Sequence, residues 1–265
     1  VGLFSGKKGV IMGLANDHSI AAAVAKVLSS EGAELAFNHL PDTDDRGKME
    51  RRVRKVTDPL GAALVMPCDV QRDEDIELFF ATVKEKFGTI DFLVHSIAFA
   101  RVEDIKGGTI NASREGFHLA MDISAYSMLA VTREASKIMN DGGSCVAMTY
   151  FGGEKVVAGY NLMGVCKATL DSICKYLAFD LGPRGIRVNA LSSGPLRTLA
   201  ASAIGDFQDI LTLYRKNSPL NRNITKEEVA NATAYLLSDM STGVTGEVHH
   251  VDGGYNIMGG PGRGE

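Results

Sequence analysis

Lys8-Gly9-Val10-Ile11-Met12-Gly13-Leu14-Ala15-Asn16-Asp17-His18-Ser19-Ile20-Ala21 is the stretch from which the fold is read. Its apolar run, 8–14, has the length of a buried strand, and a glycine falls where the strand gives out. From Ser19 the pattern becomes that of a helix over 19–31, with small residues on its packing face. A strand that ends in glycine and turns at once into a helix aims free helix amides and a positive dipole beyond the strand, which makes an anion site. The usual dinucleotide fingerprint has three glycines, whereas this loop keeps Gly13 alone. Taken by itself, the loop is equally an ordinary strand-to-helix turn with Ser19 near the N-cap.

Outward from this unit the alternation continues. Strands are expected at 33–38, 62–67, 90–96, 144–149, 186–191 and 247–251. Helices are expected at 44–57, 74–87, 113–140, 160–181 and 226–237. Strands that read as continuous Val, Ile, Leu and Ala runs, each followed by a helix, indicate a parallel sheet covered on both faces. Right-handed crossovers then give an α/β, doubly wound, Rossmann-like sheet in a single domain over 1–265. Ligands of such sheets bind beyond the carboxyl ends of the strands.

Composition removes several function classes. The chain has 265 residues, of which 45% are hydrophobic, enough for a sizeable core. A net charge of −4 argues against a nucleic-acid partner, which needs a basic patch. The run Arg51-Arg52-Val53-Arg54-Lys55 follows Asp42, Asp44 and Asp45 and reads as a solvated helix face. Cysteines at 68, 145, 166 and 174 show no metal spacing and fit a reducing cytosol. Cys166 and Cys174 are spaced to share a helix face as packing thiols. His249-His250 has no third ligand at suitable spacing, so no metal is expected. No apolar run is long enough to cross a bilayer and no charged-then-apolar leader is visible, so a cytoplasmic protein without membrane contact is expected. Repeats and low-complexity segments are absent ahead of the 259–265 tail.

Several strand ends carry chemistry. After the third strand, Asp69 either accepts from an adenine amino group or caps the next helix. The fourth ends in His95-Ser96-Ile97-Ala98, whose small residues let a flat ring approach the backbone, with His95 read as a satisfied core histidine. The most informative segment runs from Tyr150-Phe151-Gly152-Gly153-Glu154 through Tyr160-Asn161-Leu162-Met163-Gly164-Val165-Cys166-Lys167. Tyr160 and Lys167 are seven residues apart, about two helical turns, which puts both on one face some 10 Å apart. A neighbouring ammonium would lower the tyrosine pKa from its usual value near 10. Spacing alone is commonplace on helices.

The loop at Gly13, the Tyr160/Lys167 segment and the following Arg187-Val188-Asn189-Ala190-Leu191 strand together resemble the short-chain dehydrogenase/reductase superfamily. Most members place their tyrosine four residues before the lysine, where this chain has Met163. The displacement to Tyr160 resembles the enoyl-acyl-carrier-protein reductase branch, the bacterial FabI type. So do Ser19-Ile20-Ala21, His95-Ser96-Ile97, Ser193-Gly194-Pro195-Leu196-Arg197-Thr198-Leu199-Ala200-Ala201 and Gly246-Glu247-Val248 with Val251-Asp252-Gly253-Gly254. These segments keep the family's order from the first strand to the last.

The resemblance implies a set of roles. Gly13, Ser19 and Ile20 would line the pyrophosphate loop, and Asp69 and Val70 would hold adenine. Ser96 and Ile97 would flank the ribose and nicotinamide. Lys167 would bind the nicotinamide ribose, and Leu196 and Thr198 would meet the carboxamide and phosphate. Tyr160 and Tyr150 would be the catalytic pair, with Ala100 beside the substrate. Residues from about 196 to 216 would form a substrate-binding flap. The implied reaction is reduction of the carbon–carbon double bond of an enoyl thioester on acyl carrier protein by a homotetramer. The second strand ends in Asn38-His39-Leu40-Pro41, with neither the acidic residue typical of NAD sites nor the arginine typical of NADP sites. With no base there for a 2′-phosphate, NADH is favoured over NADPH, although Arg46 lies close by. A carbonyl reductase of the same superfamily and a catalytically silent dinucleotide-binding module are the competing readings.

Overall fold

A computed structural model describes residues 2–43, 46–198 and 207–260. Seven strands alternate with helices along the chain: β1 Lys8–Met12, β2 Glu34–His39, β3 Leu64–Pro67, β4 Ile90–His95, β5 Met139–Thr149, β6 Arg187–Ser193 and β7 Val248–Val251. They form one sheet in the order β3-β2-β1-β4-β5-β6-β7, and each neighbouring pair is parallel. The order reverses between β1 and β4, which makes the gap beyond Met12 and His95 the switch point of a doubly wound sheet. The Rossmann-like α/β expectation is met.

The helices are α1 Ile20–Ser30, α2 Lys48–Thr57, α3 Asp73–Phe87, α4 Val102–Ile105, α5 Arg114–Met121, α6 Ser127–Ile138, α7 Leu162–Leu181, α8 Phe207–Asn217 and α9 Lys226–Leu237. Period-two alternation divides the strand side chains between two cores. Val10, Met12 and Leu93 pack with Ile76 and Phe79 of α3, Val131 of α6 and Leu170 of α7. Ile11, Phe92 and Val94 pack on the opposite face with Val24 of α1, Val53 of α2 and Leu236 of α9. Small residues bring α1 close: Ala21, Ala22 and Ala25 are fully buried. The basic run lies on α2 with Arg51, Arg52 and Lys55 exposed and Val53 facing the core, as a solvated helix face does. All four cysteines are buried free thiols, and Cys166 and Cys174 both lie on the packed side of α7.

Three expected elements differ in detail. The 113–140 helix is interrupted: α5 passes through a π-turn, Asp122–Tyr126, before α6, and the chain enters β5 at Met139. The 160–181 helix starts at Leu162, because Asn161 takes φ +45° and ψ −121°, outside helical space, and its Nδ2 donates to the Ile105 carbonyl at 2.6 Å. The 44–57 helix begins at Lys48, where the Asp42 carboxylate accepts from the Met49 and Glu50 amides; positions 44 and 45 lie outside the described residues. Of the expected flap, 199–206 lies outside them too, and its remainder holds α8, a helix not foreseen.

Candidate active site

The carboxyl ends of four strands are laced together around Gly13. Its amide donates to Asn38 Oδ1 at 2.9 Å, Asn38 Nδ2 donates to the Cys68 carbonyl at 3.2 Å, and the Ser96 amide donates to the Met12 carbonyl at 3.0 Å. Gly13 sits at φ +92°, and a β-carbon there would run into the Ser96 carbonyl. Glycine is therefore required by conformation and by space. Ser19 is the N-cap of α1: its Oγ accepts from the Ala22 amide at 3.2 Å and donates to the Asn16 carbonyl at 2.7 Å. The amides of Ile20 and Ala21 head the helix beyond this strand end. A bare glycine floor under a helix N-terminus fits the pyrophosphate of a dinucleotide.

Asp69 does not cap α3, whose N-cap is Arg72. Instead its Oδ1 accepts from the Gln71 amide at 3.0 Å, while its own amide donates to Asp75 Oδ2 at 3.0 Å. Its carboxylate thus stays at the rim of the β3 end, and Val70 behind it is buried in the core.

At the end of β4 the histidine is only half satisfied. Ser127 Oγ donates to the Ile123 carbonyl at 2.6 Å, so it accepts from His95 Nε2 at 2.8 Å. Nδ1, fully buried, has no partner among the described residues. Burial, and then the Lys167 ammonium, push the His95 pKa down to about 3, so the ring is neutral. Beyond it Ser96 and Ile97 lead to Phe99, whose amide and carbonyl both bond Ser124 Oγ at 2.9 Å. Ser124 lies in the π-turn, which is what fixes the loop carrying Ala100. Ala100 and Tyr160 pack against the same small cluster of Ile105, Leu162 and Met163.

Tyr150 follows β5 directly, and the turn Phe151–Gly153 folds back onto α7. A β-carbon on Gly164 would stand 2.6 Å from the Gly152 carbonyl, so this helix and this turn touch backbone to backbone. That contact sets the Tyr150 and Tyr160 rings edge to face, with centroids 4.6 Å apart and planes at 65°. Tyr160 thus reaches the site from the turn before α7 and not from the helix face that its spacing to Lys167 indicates. Lys167, in the second turn of α7, is buried and donates through Nζ to the Met148 carbonyl at 2.7 Å. Burial draws its pKa down to about 8, against the pull of Asp171 one turn along. Asp171 is itself buried, and that raises its carboxyl to about 6.

One electrostatic expectation is overturned. The Tyr160 hydroxyl is pushed up by burial and then by Tyr150, not lowered by the lysine. The ammonium is engaged with a strand carbonyl, and the phenol sits among apolar groups that disfavour its anion. Tyr160 is consequently a neutral donor.

On the far wall Leu196 is buried, Thr198 half-buried, and Arg197 Nη2 donates to Gln208 Oε1 of α8 at 2.8 Å. Two aromatic residues escaped the sequence reading. Tyr214 of α8 donates to the Tyr150 hydroxyl at 3.2 Å, and Tyr255 stacks on Tyr214 at 3.8 Å. Tyr214 shares the inward side of α8 with Leu211, a spacing that the flap expectation passed over, whereas Tyr255 is brought here by tertiary packing alone. His250 Nε2 meets Glu154 Oε1 at 2.6 Å and His249 lies beside the Tyr235 ring, so each has a structural neighbour. Among the described residues no three possible ligands gather for a metal.

A doubly wound parallel sheet with a glycine-floored helix N-terminus at its switch point, and a tyrosine and lysine beyond β5, defines a dinucleotide-dependent reductase of the short-chain dehydrogenase/reductase class. Comparison with known proteins narrows this. The chain belongs to the enoyl-(acyl carrier protein) reductase family, whose model matches residues 13–256. It is 50% identical over 258 residues to enoyl-[acyl-carrier-protein] reductase [NADH] 1 of Rhizobium meliloti, covering 97% of this chain and 93% of that protein. The enoyl-acyl carrier protein reductase of Anaplasma phagocytophilum, solved in complex with NAD, superposes with a TM-score of 0.93 at 45% identity, covering 98% and 97% of the two chains. That of Bacillus cereus, solved with NADP+ and an indole naphthyridinone, gives 0.93 at 48% identity over 98% of this chain and 100% of its own.

Proposed function

We propose that this protein uses NADH to reduce the carbon–carbon double bond of enoyl thioesters held on acyl carrier protein, in the elongation cycle of fatty-acid synthesis. The observation that carries the reading is the placement of Tyr160: its ring leans on Tyr150 ahead of α7, while position 163, where a carbonyl reductase of this class has its tyrosine, is a buried methionine. Family membership and the NADH-dependent relatives support it.

In this reading Gly13, Ser19 and Ile20 receive the pyrophosphate, Asp69 and Val70 the adenine, and Ser96, Ile97, Leu196 and Thr198 the nicotinamide side. When bound, the reduced nicotinamide supplies a hydride to the β-carbon of the enoyl thioester. Negative charge then gathers on the thioester oxygen, and the neutral Tyr160 phenol donates to it, with Tyr150 alongside; the reduction is completed when the α-carbon takes up a proton drawn ultimately from solvent and the enolate returns to the thioester. A preplaced donor in a dry site needs no reorganisation as that charge grows. Lys167 positions the ribose and adds positive potential. Ala100 borders the acyl chain.

Arg197, Arg215 and Lys216 are the basic groups we assign to the acidic carrier protein. The homotetramer is supported by an exposed stripe on α7: Val165, Ala168, Ser172, Tyr176 and Phe179 share one face, with Tyr176 72% and Phe179 81% exposed. Buried, unpaired thiols support the cytoplasm as its compartment. We take the chain as one catalytic unit with a flap over about 196–216.

Following NADH absorbance with a 2-enoyl thioester, and with a 3-ketoacyl thioester in parallel, tests the function. Oxidation with the enoyl substrate alone is expected. Turnover of the ketoacyl substrate alone would make the protein a carbonyl reductase, and silence with both, NADPH included, would leave a binding module.

A further inference from the structure

Four tyrosine rings run in file from the C-terminal segment to the site. Tyr255 stacks on Tyr214 with centroids 3.8 Å apart and planes at 18°. Tyr214 lies nearly parallel to Tyr150 at 6.5 Å and 25°, and Tyr150 leans on Tyr160. Tyr214 is 2% exposed, so its hydroxyl must find its partner within the protein. That partner is Tyr150: Tyr214 donates, and the Tyr150 oxygen accepts, at 3.2 Å. A phenol has a single proton. Because Tyr214 spends its proton on the Tyr150 oxygen, the Tyr150 proton is left for an acceptor on the other side, where the Tyr160 ring lies. A hydroxyl that accepts one hydrogen bond also becomes a stronger donor in the next.

We propose that Tyr214 is a positioning residue for Tyr150: by donating to its hydroxyl oxygen it turns the Tyr150 proton toward the substrate, and Tyr255 holds Tyr214 at that angle. The inference rests on the reading of Tyr150 and Tyr160 as the groups that meet the thioester. It makes α8, which carries Tyr214, part of the reacting centre. The 3.2 Å separation is longer than the common range for two hydroxyls, and it shortens when a substrate oxygen draws on the Tyr150 proton. The upward push that burial gives Tyr150, to about 12, is partly offset by this same bond.

The test is a double-mutant cycle on NADH oxidation with a 2-enoyl thioester. Tyr214→Phe keeps the ring and its stacking partner and removes one hydroxyl. Its kcat is expected to fall about 5-fold, the effect of one neutral hydrogen bond, with the KM for NADH unchanged. Tyr150→Phe should fall at least as far, and Tyr150→Phe with Tyr214→Phe no further than Tyr150→Phe alone. Replacing Tyr214 by 3-fluorotyrosine, a stronger donor of nearly the same shape, should restore wild-type kcat or exceed it; a purely structural Tyr214 would not respond to donor strength. Losses that multiply in the double variant overturn the inference, as does a wild-type kcat in Tyr214→Phe beside an impaired Tyr150→Phe. If Tyr150→Phe is itself unimpaired, the inference falls because Tyr150 does not meet substrate; a wild-type protein silent on the enoyl thioester fails the functional reading instead. Should Tyr214→Phe not fold, the fluorotyrosine protein alone decides: kcat below wild type overturns the inference.

Discussion

Lys167 and Tyr160 are both removed from water, and burial acts on them in opposite directions. The lysine is drawn down to about 8 and the phenol is pushed up. Near neutral pH both groups keep their protons, so the site holds one buried cation and one neutral donor. Tyr160→Phe removes only the donor, and turnover should fall about 100–1000-fold while the Kd for NADH changes little. Lys167→Ala removes the ribose partner and its potential, and it should weaken NADH binding in fluorescence titration; an equal loss of affinity in both variants would overturn these roles. The lysine also fixes the sign of a pH effect. Between about 8 and the ordinary value of 10.5 the unfolded chain holds a proton that the folded protein has released. The lysine's own contribution to stability must then rise with pH across that window, while the four buried thiols, raised by burial, contribute with the opposite sign above about 9, where thiols of the unfolded chain ionise. NADH affinity should fall over the same window as the positive potential is lost. In urea unfolding and NADH titration from pH 7 to 10.5, the stability of wild type relative to Lys167→Met should rise with pH, while its advantage in NADH affinity should shrink. At this scale the residue types of the site were legible in the sequence, but their environments were not. The expected lowering of the tyrosine failed because spacing cannot say that Lys167 would turn to the Met148 carbonyl. Asn38 entered the sequence reading only for lacking a charge, yet it joins the ends of three strands.

The glycines at 152 and 164 do at the level of elements what no single side chain does. They let the turn after β5 touch the first turns of α7, and that contact delivers Tyr150 and Tyr160 together. Gly164→Ala would force a methyl group against the Gly152 carbonyl and spread turn from helix. Alanine is the better helix former by roughly 1 kcal/mol, so global stability should change little while the tyrosines move apart. A displacement near 1 Å at a reacting centre costs about 100-fold. We expect kcat to fall by that order with the melting temperature within a few degrees of wild type; unchanged kcat would mean that the turn does not place the tyrosines. The strands were legible as elements because each is a short apolar run between breakers. The start of α7 was not, since the φ of Asn161 is imposed by a bond to Ile105, 56 positions away. The π-turn was equally hidden: Asp122–Tyr126 has no breaker, and its irregularity comes from Ser124 and Ser127 reaching back to Phe99 and His95. Helix α8 escaped because the resemblance assigned 196–216 to a flap, although its Leu211 and Tyr214 pack inward three residues apart.

On the scale of the molecule, the sheet explains why the ligand end is where it is, and one helix bears the surface on which the proposed homotetramer rests. Seven parallel strands bring every carboxyl end to one edge, and the reversal between β1 and β4 opens the crevice there. Both faces are then roofed by helices, which leaves α7 with two demands. Its inner side, Leu170, Cys174 and Ala178, is buried in the core. Its outer side carries Tyr176 and Phe179 into solvent one turn apart, with Phe117 and Tyr126 also 39% and 41% exposed on the neighbouring segments. Large exposed aromatics on α7 and the segments beside it fit a surface that a partner covers, and the proposed homotetramer would place another copy there. Burial of each ring on association contributes roughly 2 kcal/mol or more, and the same helix carries Lys167 on its opposite side. In the proposed homotetramer, assembly and catalysis would therefore be coupled through one rigid element. Replacing both aromatics by Glu (Tyr176→Glu with Phe179→Glu) leaves the core untouched and puts like charges where copies would meet. Sedimentation velocity should show the tetramer giving way to smaller species at micromolar protein, with turnover falling as α7 loses its support. An unchanged sedimentation coefficient would show that the stripe is not an interface, and a wild-type protein that sediments as a monomer would remove the tetramer itself.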